Sequence, residues 1–385
     1  MMDFQWTEEQ MAFKEAVRKF AEKEISPGAL ERDLTGRFNR EAWNKAGEFG
    51  LLGLPIPQAY GGGGCDVLTT MAAMEGLGLG CRDTGFSLAV QAHMVICEVP
   101  IWQHGSEDQR SRYLPRLCKG EWIGACGMTE PDAGSDLLNI RTSARRDGDR
   151  YVLNGTKMFI SNGPIADLVV VFATVDRAKR ARGITAFLVE KGFPGFSVSR
   201  ELDKMGARSN PTGELVFEEC VVPVENRLGE EGEGMSILLD TLEWERALVL
   251  TTSVGRMEYQ LCKCLRYAKE RVQFGRPIGE FQLVQEKLAN MKVRLEAARL
   301  LAYKAGWMKQ NRIPSLMEAC IAKLFISEAN VQSSLDAIQI HGGYGFMREY
   351  EVERNLRDAV GATVAGGTSE IQRLTIAREL FRGLE

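Results

Sequence analysis

The spacing of apolar positions changes twice along the chain. Over residues 1–120 they recur at three- and four-residue steps, over 121–230 at every second residue, and over 231–385 at helical steps again. In TEEQMAFKEAVRKFAEKEI, Met11, Phe13, Val17, Phe20 and Ile25 form a stripe, and Thr7 with Glu8 and Glu9 is placed to cap the start. A loop, PQAYGGGG, precedes a second helical stretch over 66–77. GLGLGCRD has glycine spacing like a dinucleotide loop, but it ends a helix instead of linking a strand to one. Residues 76–80 therefore read as a helix stop.

The period-two region holds YVLNGTKMFISN, DLVVVFATV, ITAFLVEK, FSVSRELDKMG and GELVFEECVVP, separated by the turn segments DGDR, GPIAD and KGFPG. Strands this closely spaced predict an antiparallel barrel or sandwich, not alternating βαβ units. Beyond it, segments 234–271, 280–310, 314–341 and 349–360 with 368–382 predict a four-helix bundle. The fold class expected is a multi-domain α+β chain with helical, β and helical parts over 1–120, 121–230 and 231–385.

Composition narrows the function classes. Lys and Arg total 48 against 52 Asp and Glu, a formal charge of −4, so no global charge draws the chain to nucleic acid. The start, MMDFQWTEEQ, has neither signal-peptide nor membrane-span character, and a cytoplasmic setting is expected. Nine cysteines, an odd number without zinc-finger or thioredoxin spacing even at Cys262 and Cys264, read as buried free thiols. His93, His104 and His341 share no metal-motif spacing, so no metal is expected.

Two stretches carry candidate chemistry. GATVAGGTSEIQ (361–372) puts adjacent glycines and a Thr-Ser pair at the mouth of a helical pattern, a turn suited to close ligand approach. In LLDTLEWERALVL, Leu238, Leu242, Glu245 and Val249 recur at helical spacing, so Glu245 lies on the face to be buried. Glu243 is about 200° around the helix and leans towards solvent. A carboxylate on an apolar stripe is costly unless it has a partner or a role, and burial raises its pKa towards that of a useful base. Taken alone, Glu245 reads either as a base or as half of an ion pair.

Four motifs, in this order, resemble the acyl-CoA dehydrogenase family, flavoproteins that oxidise acyl thioesters between the α and β carbons. They are GMTEPDAGSD (127–136), KMFISNGPIAD (157–167), RVQFGRPIGEFQ (271–282) and QIHGGYG (339–345), followed by GGTSE. The resemblance spans essentially the whole chain. It implies FAD, with Cys126, Met128, Thr129 and Ser161 at the flavin, Phe159 over one of its faces, and Thr368 and Glu370 in the facing turn. Family members often carry Trp and Thr where this chain has Phe159 and Ser161. Arg271 suits the pyrophosphate. The resemblance also implies that Arg271, Phe274, Gln282, Gln339, Gly342 and Gly343 serve the FAD of a neighbouring subunit in a homotetramer.

Many members hold the α-proton base immediately before Gly-Thr-Ser, where this chain has Gly366. A branch typified by isovaleryl-CoA dehydrogenase holds it in a Glu-Arg pair, matching Glu245 and Arg246. Glu245 is then the base, a flavin N5 takes the β hydride, and Ser135, Arg246, Gly366 and Gly367 contact the thioester. Ser236 replaces an aromatic of that branch near the acyl pocket. Prolyl-carrier-protein dehydrogenases are resembled as well. The implied partners are acyl-CoA or an acyl or peptidyl carrier protein, with an electron-transfer flavoprotein or oxygen as acceptor. A reading of another class is a flavoprotein that binds thioesters without dehydrogenating them.

Overall fold

The computed structural model describes residues 6–248 and 250–382. Helices lead: α1 (Glu8–Phe20), α2 (Ala29–Thr35), α3 (Arg40–Glu48), α4 (Val67–Gly80), α5 (Thr84–His93), α6 (Val99–His104) and α7 (Glu107–Cys118). Thr7 caps α1 reciprocally with Gln10, whose N–H donates to the Thr7 hydroxyl at 3.1 Å. Gln10 does this instead of Glu8 or Glu9 because only the third helical position reaches back to the cap. A π turn, Ala21–Ile25, continues the helix and rotates Ala21 and Ile25 into the core beside Val17, while Met11 stays exposed.

The glycines of GLGLG belong inside α4 and not to its stop, which falls at Cys81. A Cβ on Gly76 would lie 2.3 Å from the Lys14 carbonyl oxygen, and one on Gly78 would lie 1.9 Å from that of Thr252. Their role is close backbone approach by two neighbouring helices. The run Thr84–His104 is long and apolar enough to cross a bilayer, but 83% of its apolar window is buried within the protein, as a core helix is.

The strands of the main sheet are β1 (Gly124–Gly127), β2 (Ser143–Asp147), β3 (Arg150–Ser161), β4 (Leu168–Thr174), β5 (Ile184–Glu190), β6 (Phe196–Glu201), β7 (Thr212–Pro223) and β8 (Arg227–Leu228). Their order is β6-β7-β3-β2-β4-β5-β8, with β1 alongside β4. Pairing is antiparallel except at β1–β4 and at one β2–β4 bridge, which are parallel. Alternation on β4 divides two cores. Val169 and Val171 face Tyr151, Phe187 and Phe217 within a sheet that curls on itself, while Leu168, Val170 and Phe172 face the helices.

The second helical part comprises α8 (Gly234–Leu248), α9 (Thr251–Glu270), α10 (Gln282–Gln310), α11 (Leu316–His341), α12 (Gly343–Phe346), α13 (Val352–Val364) and α14 (Ser369–Arg382). The single helix expected over 234–271 is two, α8 and α9. Val249, the last member of the Glu245 stripe, lies outside the described residues. Helices α9, α10 and α11 pack together, α13 and α14 lie on α11, and α4 packs on α9 and α10. First and last thirds thus share one core. Glu75, buried on α4, pins the junction by accepting from Lys14 Nζ at 2.8 Å, Arg299 Nη2 at 2.9 Å and the Tyr303 hydroxyl at 2.5 Å.

A buried ion pair shapes the β1–β2 connection. Lys157 Nζ donates to Glu130 Oε1 at 2.7 Å and to the Met128 carbonyl at 3.2 Å, and both side chains are almost wholly buried. Burial alone would raise the Glu130 carboxyl, but Lys157 and the backbone N–H of Arg141 outweigh it and hold it low. Lys157→Met should cost about 3–5 kcal/mol of stability, the scale for stranding a buried charge, read as a lower urea midpoint. The depressed Glu130 pKa stabilises the fold above the ordinary carboxylate range. That contribution is lost as pH falls through the folded value.

Candidate active site

Helices α5, α8, α9, α11 and α13 and the ends of β3 and β7 enclose a cleft of about 360 Å³. The end of β3 is fixed by a buried asparagine. Asn162 Nδ2 donates to the carbonyls of Ala89 and Gly124 at 2.9 and 3.1 Å, and Asn210 Nδ2 donates to Asn162 Oδ1 at 2.7 Å. This seats Ser161 on the cleft wall opposite Thr212.

Glu245 and Arg246 from α8 face Gly366 across the same space. Gly366 sits at φ +64°, and a Cβ there would stand 3.0 Å from Glu245 Oε1. The carboxylate of Glu245 thus occupies the space that a side chain at 366 would enter. The turn is held from behind by Gln372, a buried residue whose Nε2 donates to the carbonyls of Gly366 and Gly367 at 3.2 and 2.9 Å. Burial raises the Glu245 carboxyl above its usual range, and the positive charges of Arg246 and Lys323 only partly offset it. Cys126, buried at the end of β1, has its thiol pushed up to about 12, first by burial and next by the Glu245 charge. Glu243 faces away from the cleft, as the helical angle required. It is not free in solvent, because Lys309 Nζ donates to it at 2.8 Å.

Likeness to known proteins, in sequence and in structure, bears on this geometry. Residues 7–121, 125–220 and 232–381 match the N-terminal, middle and C-terminal domains of acyl-CoA dehydrogenases. The chain belongs to the acyl-CoA dehydrogenase family. It is 44% identical over 99% of its length to a short-chain-specific acyl-CoA dehydrogenase of Clostridium acetobutylicum, covering 100% of that protein. It is 40% identical to an L-prolyl-[peptidyl-carrier protein] dehydrogenase of Pseudomonas fluorescens, over 98% of this chain and 100% of the other. The crystal structure of a prolyl acyl carrier protein oxidase superposes with a TM-score of 0.96 at 47% identity, covering 98% of this chain and 100% of that one.

Not every residue the family resemblance points to meets in the cleft. Ser161, Glu245, Arg246 and Gly366 line it, and Gly367 adjoins it in the turn. Thr368 caps α14, its hydroxyl accepting from the Ile371 N–H at 3.3 Å, and Glu370 is an exposed first-turn residue of that helix. Ser135 is exposed on the loop after β1, outside the cleft lining. Thr129 and Met128 lie against β3, where the Met158 N–H donates to the Thr129 carbonyl at 2.8 Å. Phe159 stands in a β3 bulge at φ +63° and is 66% exposed. A large aromatic held in left-handed backbone costs of order 1–3 kcal/mol, and such strain persists where surrounding structure demands it.

A second group forms at the far end of the bundle. The Arg271 guanidinium lies 5.5 Å from the ring centroid of Tyr344, next to Gly342 and Gly343, and Tyr267 stacks on His341. Phe274, at φ +51° and 94% exposed, approaches Phe281, the neighbour of Gln282. Gln339 is exposed beside them.

Sequence reasoning overlooked Lys323, Arg256 and Gln372. Lys323 carried the same signal as Glu245, a charge on a buried stripe, here between Ala319, Ala322 and Ile326 of α11.

Proposed function

We propose that the protein is an FAD-dependent α,β-dehydrogenase of acyl thioesters in which Glu245 removes the α proton. The supporting observation is the 3.0 Å separation between Glu245 Oε1 and the Cβ position of Gly366, which aims a carboxylate from α8 at the spot the family serves from the 366 turn. The residues present suit a flavin. Phe159 offers an open flat ring, Ser161 and Thr129 offer hydroxyls, and Arg271 offers a fork for phosphate oxygens. Bound FAD supplies the ring that accepts the hydride leaving the β carbon. Glu245 takes the α proton at its carboxylate. Arg246 orients it, and the backbone of Gly366 is available to the thioester carbonyl as charge develops there. Leu88, Leu250 and Val364 keep the reacting carbons among apolar atoms.

The acyl group arrives on CoA or on a carrier protein, since both present the same arm. A carrier-bound prolyl group is favoured by the likeness to a prolyl acyl carrier protein oxidase and by Thr84, Ser87 and Asn330 on the cleft wall, which an aliphatic chain does not need. An electron-transfer flavoprotein or oxygen reoxidises the flavin. Exposed Phe274, Leu283, Phe346 and Phe381 suit burial between subunits of a homotetramer.

Purified protein should be yellow, and anaerobic addition of butyryl-CoA, isovaleryl-CoA or prolyl-carrier protein should bleach it with at least one of them. A spectral shift without bleaching across the panel would assign a thioester-binding protein instead. Arg271→Ala should lose FAD and tetrameric assembly together, seen as a lower flavin-to-protein ratio and later elution on size exclusion.

A further inference from the structure

Lys323 has no place in the chemistry described so far. It sits on α11, 3% exposed, and lines the cleft with Glu245, Arg246 and Gly366. Its Nζ has no hydrogen-bond partner among the described residues, and neither has the buried Nε of Arg246. A buried ammonium without a partner is among the most costly arrangements a core can hold. Burial accordingly lowers Lys323 to about 8, with Arg246 adding to the effect and Glu245, Cys320 and Glu328 opposing it.

The surrounding charges leave Glu245 as its natural counter-charge. From α13, Asp358 is engaged with the Ala207 N–H, and Arg357 with Asp33 and Glu353. From α9, Arg256 donates to the Cys81 carbonyl. Lys204, before β7, donates to Asn210 and Thr212. From α14, Glu370 is exposed and outside the cleft lining, although its own backbone N–H and, more weakly, Lys323 lower its carboxyl, and on α11 itself Glu328 is held by Arg373. Of the carboxylates that line the cleft with Lys323, Asp358 is engaged and Glu245 remains, its carboxyl raised by burial with Arg246 and Lys323 pulling it back.

We propose that Lys323 is a positioning residue that keeps Glu245 ionised and turned into the cleft, acting through its field across the cavity and not through a direct salt bridge. It does not touch the reacting carbons. This rests on the reading of Glu245 as the base. Removing a nearby cation disfavours the carboxylate, so the Glu245 pKa rises and the acid limb of proton removal moves to higher pH.

The test compares wild type, Lys323→Met and Lys323→Arg as FAD-loaded tetramers. The rate of anaerobic flavin bleaching by an acyl thioester is followed from pH 5 to 9. Lys323→Met should shift the acid limb up by about one pH unit, so that below it the rate falls about tenfold while the alkaline plateau stays within about threefold. Lys323→Arg, which stays charged, should keep the wild-type limb. An infrared titration of the Glu245 carboxyl, assigned by its loss in Glu245→Gln, should show the same upward shift without turnover. An unmoved infrared titration in Lys323→Met would overturn the proposal, as would a rate loss equal at all pH values. Full activity in Glu245→Gln would instead sink the base assignment, and the infrared shift would still report the Lys323–Glu245 coupling. Should Lys323→Met fail to assemble, Lys323→Gln, which keeps length and polarity without charge, carries the same expectation.

Discussion

Glu245→Gln should remain yellow and still bind acyl thioester, yet its flavin should bleach at least about a hundredfold more slowly, the scale for loss of a positioned general base. Gln keeps the shape and hydrogen-bonding capacity of the side chain but has no carboxylate to take a proton. The environment makes the change costly to the reaction and cheap to the fold. Glu245 borders the cleft, and among the described residues neither Arg246 nor Lys323, whose charges act on it, forms a salt bridge with it, so none is dismantled. Glu243→Gln should leave bleaching within about twofold, because Glu243 faces Lys309 outside the cleft and not the substrate. Rapid-mixing absorbance of the three proteins against one thioester measures both expectations.

The second large effect is expected at the opposing turn. Gly366→Glu brings a second carboxylate into the space that Glu245 fills, with its Cβ 3.0 Å from Glu245 Oε1 and its backbone at φ +64°, where a side chain is strained. Two carboxyls sharing one spot cannot both ionise, so one is driven to its protonated form. The single substitution should therefore slow bleaching by at least about tenfold. Combined with Glu245→Ala, which clears the space and keeps α8 helical, the new carboxylate should restore about tenfold of the activity lost in Glu245→Ala. Recovery in the double variant, absent in either single one, is the mark of two helices serving one α carbon.

Much of the architecture was legible from spacing alone, because the apolar period switches from helical to alternating and back where the core changes from helix stripes to sheet faces. The failures have local causes. β1, GACG, is buried along its whole length and carries no branched or large aromatic side chain, so neither alternation nor propensity marks it as a strand. The glycines of α4 looked like a stop because their purpose, admitting the carbonyls of Lys14 and Thr252, lies in partners far away in sequence. The break between α8 and α9 leaves the helical period intact, so periodicity reads straight through it.

At the cleft, Glu245 could be found because a charge on an apolar stripe is conspicuous, and Gly366 because the turn chemistry of AGGTSE is local. Their meeting could not be found, since it depends on how α8 and the turn before α14 pack across α11. Lys323 offered the same conspicuous charge. Its significance appears only once its Nζ is seen to lack a hydrogen-bond partner beside that carboxylate.

The central claim is that Glu245 takes the α proton, and it can be measured apart from flavin reduction. An acyl thioester with sulfur in the β position can lose its α proton but has no β hydrogen to give up. Incubated with the FAD-loaded protein in deuterated water, it should acquire deuterium at the α carbon, detected by mass spectrometry. The account predicts rapid exchange with the wild-type protein and exchange at least about a hundredfold slower with Glu245→Gln. Equal exchange by the two proteins would show that another group removes the proton, and would contradict it.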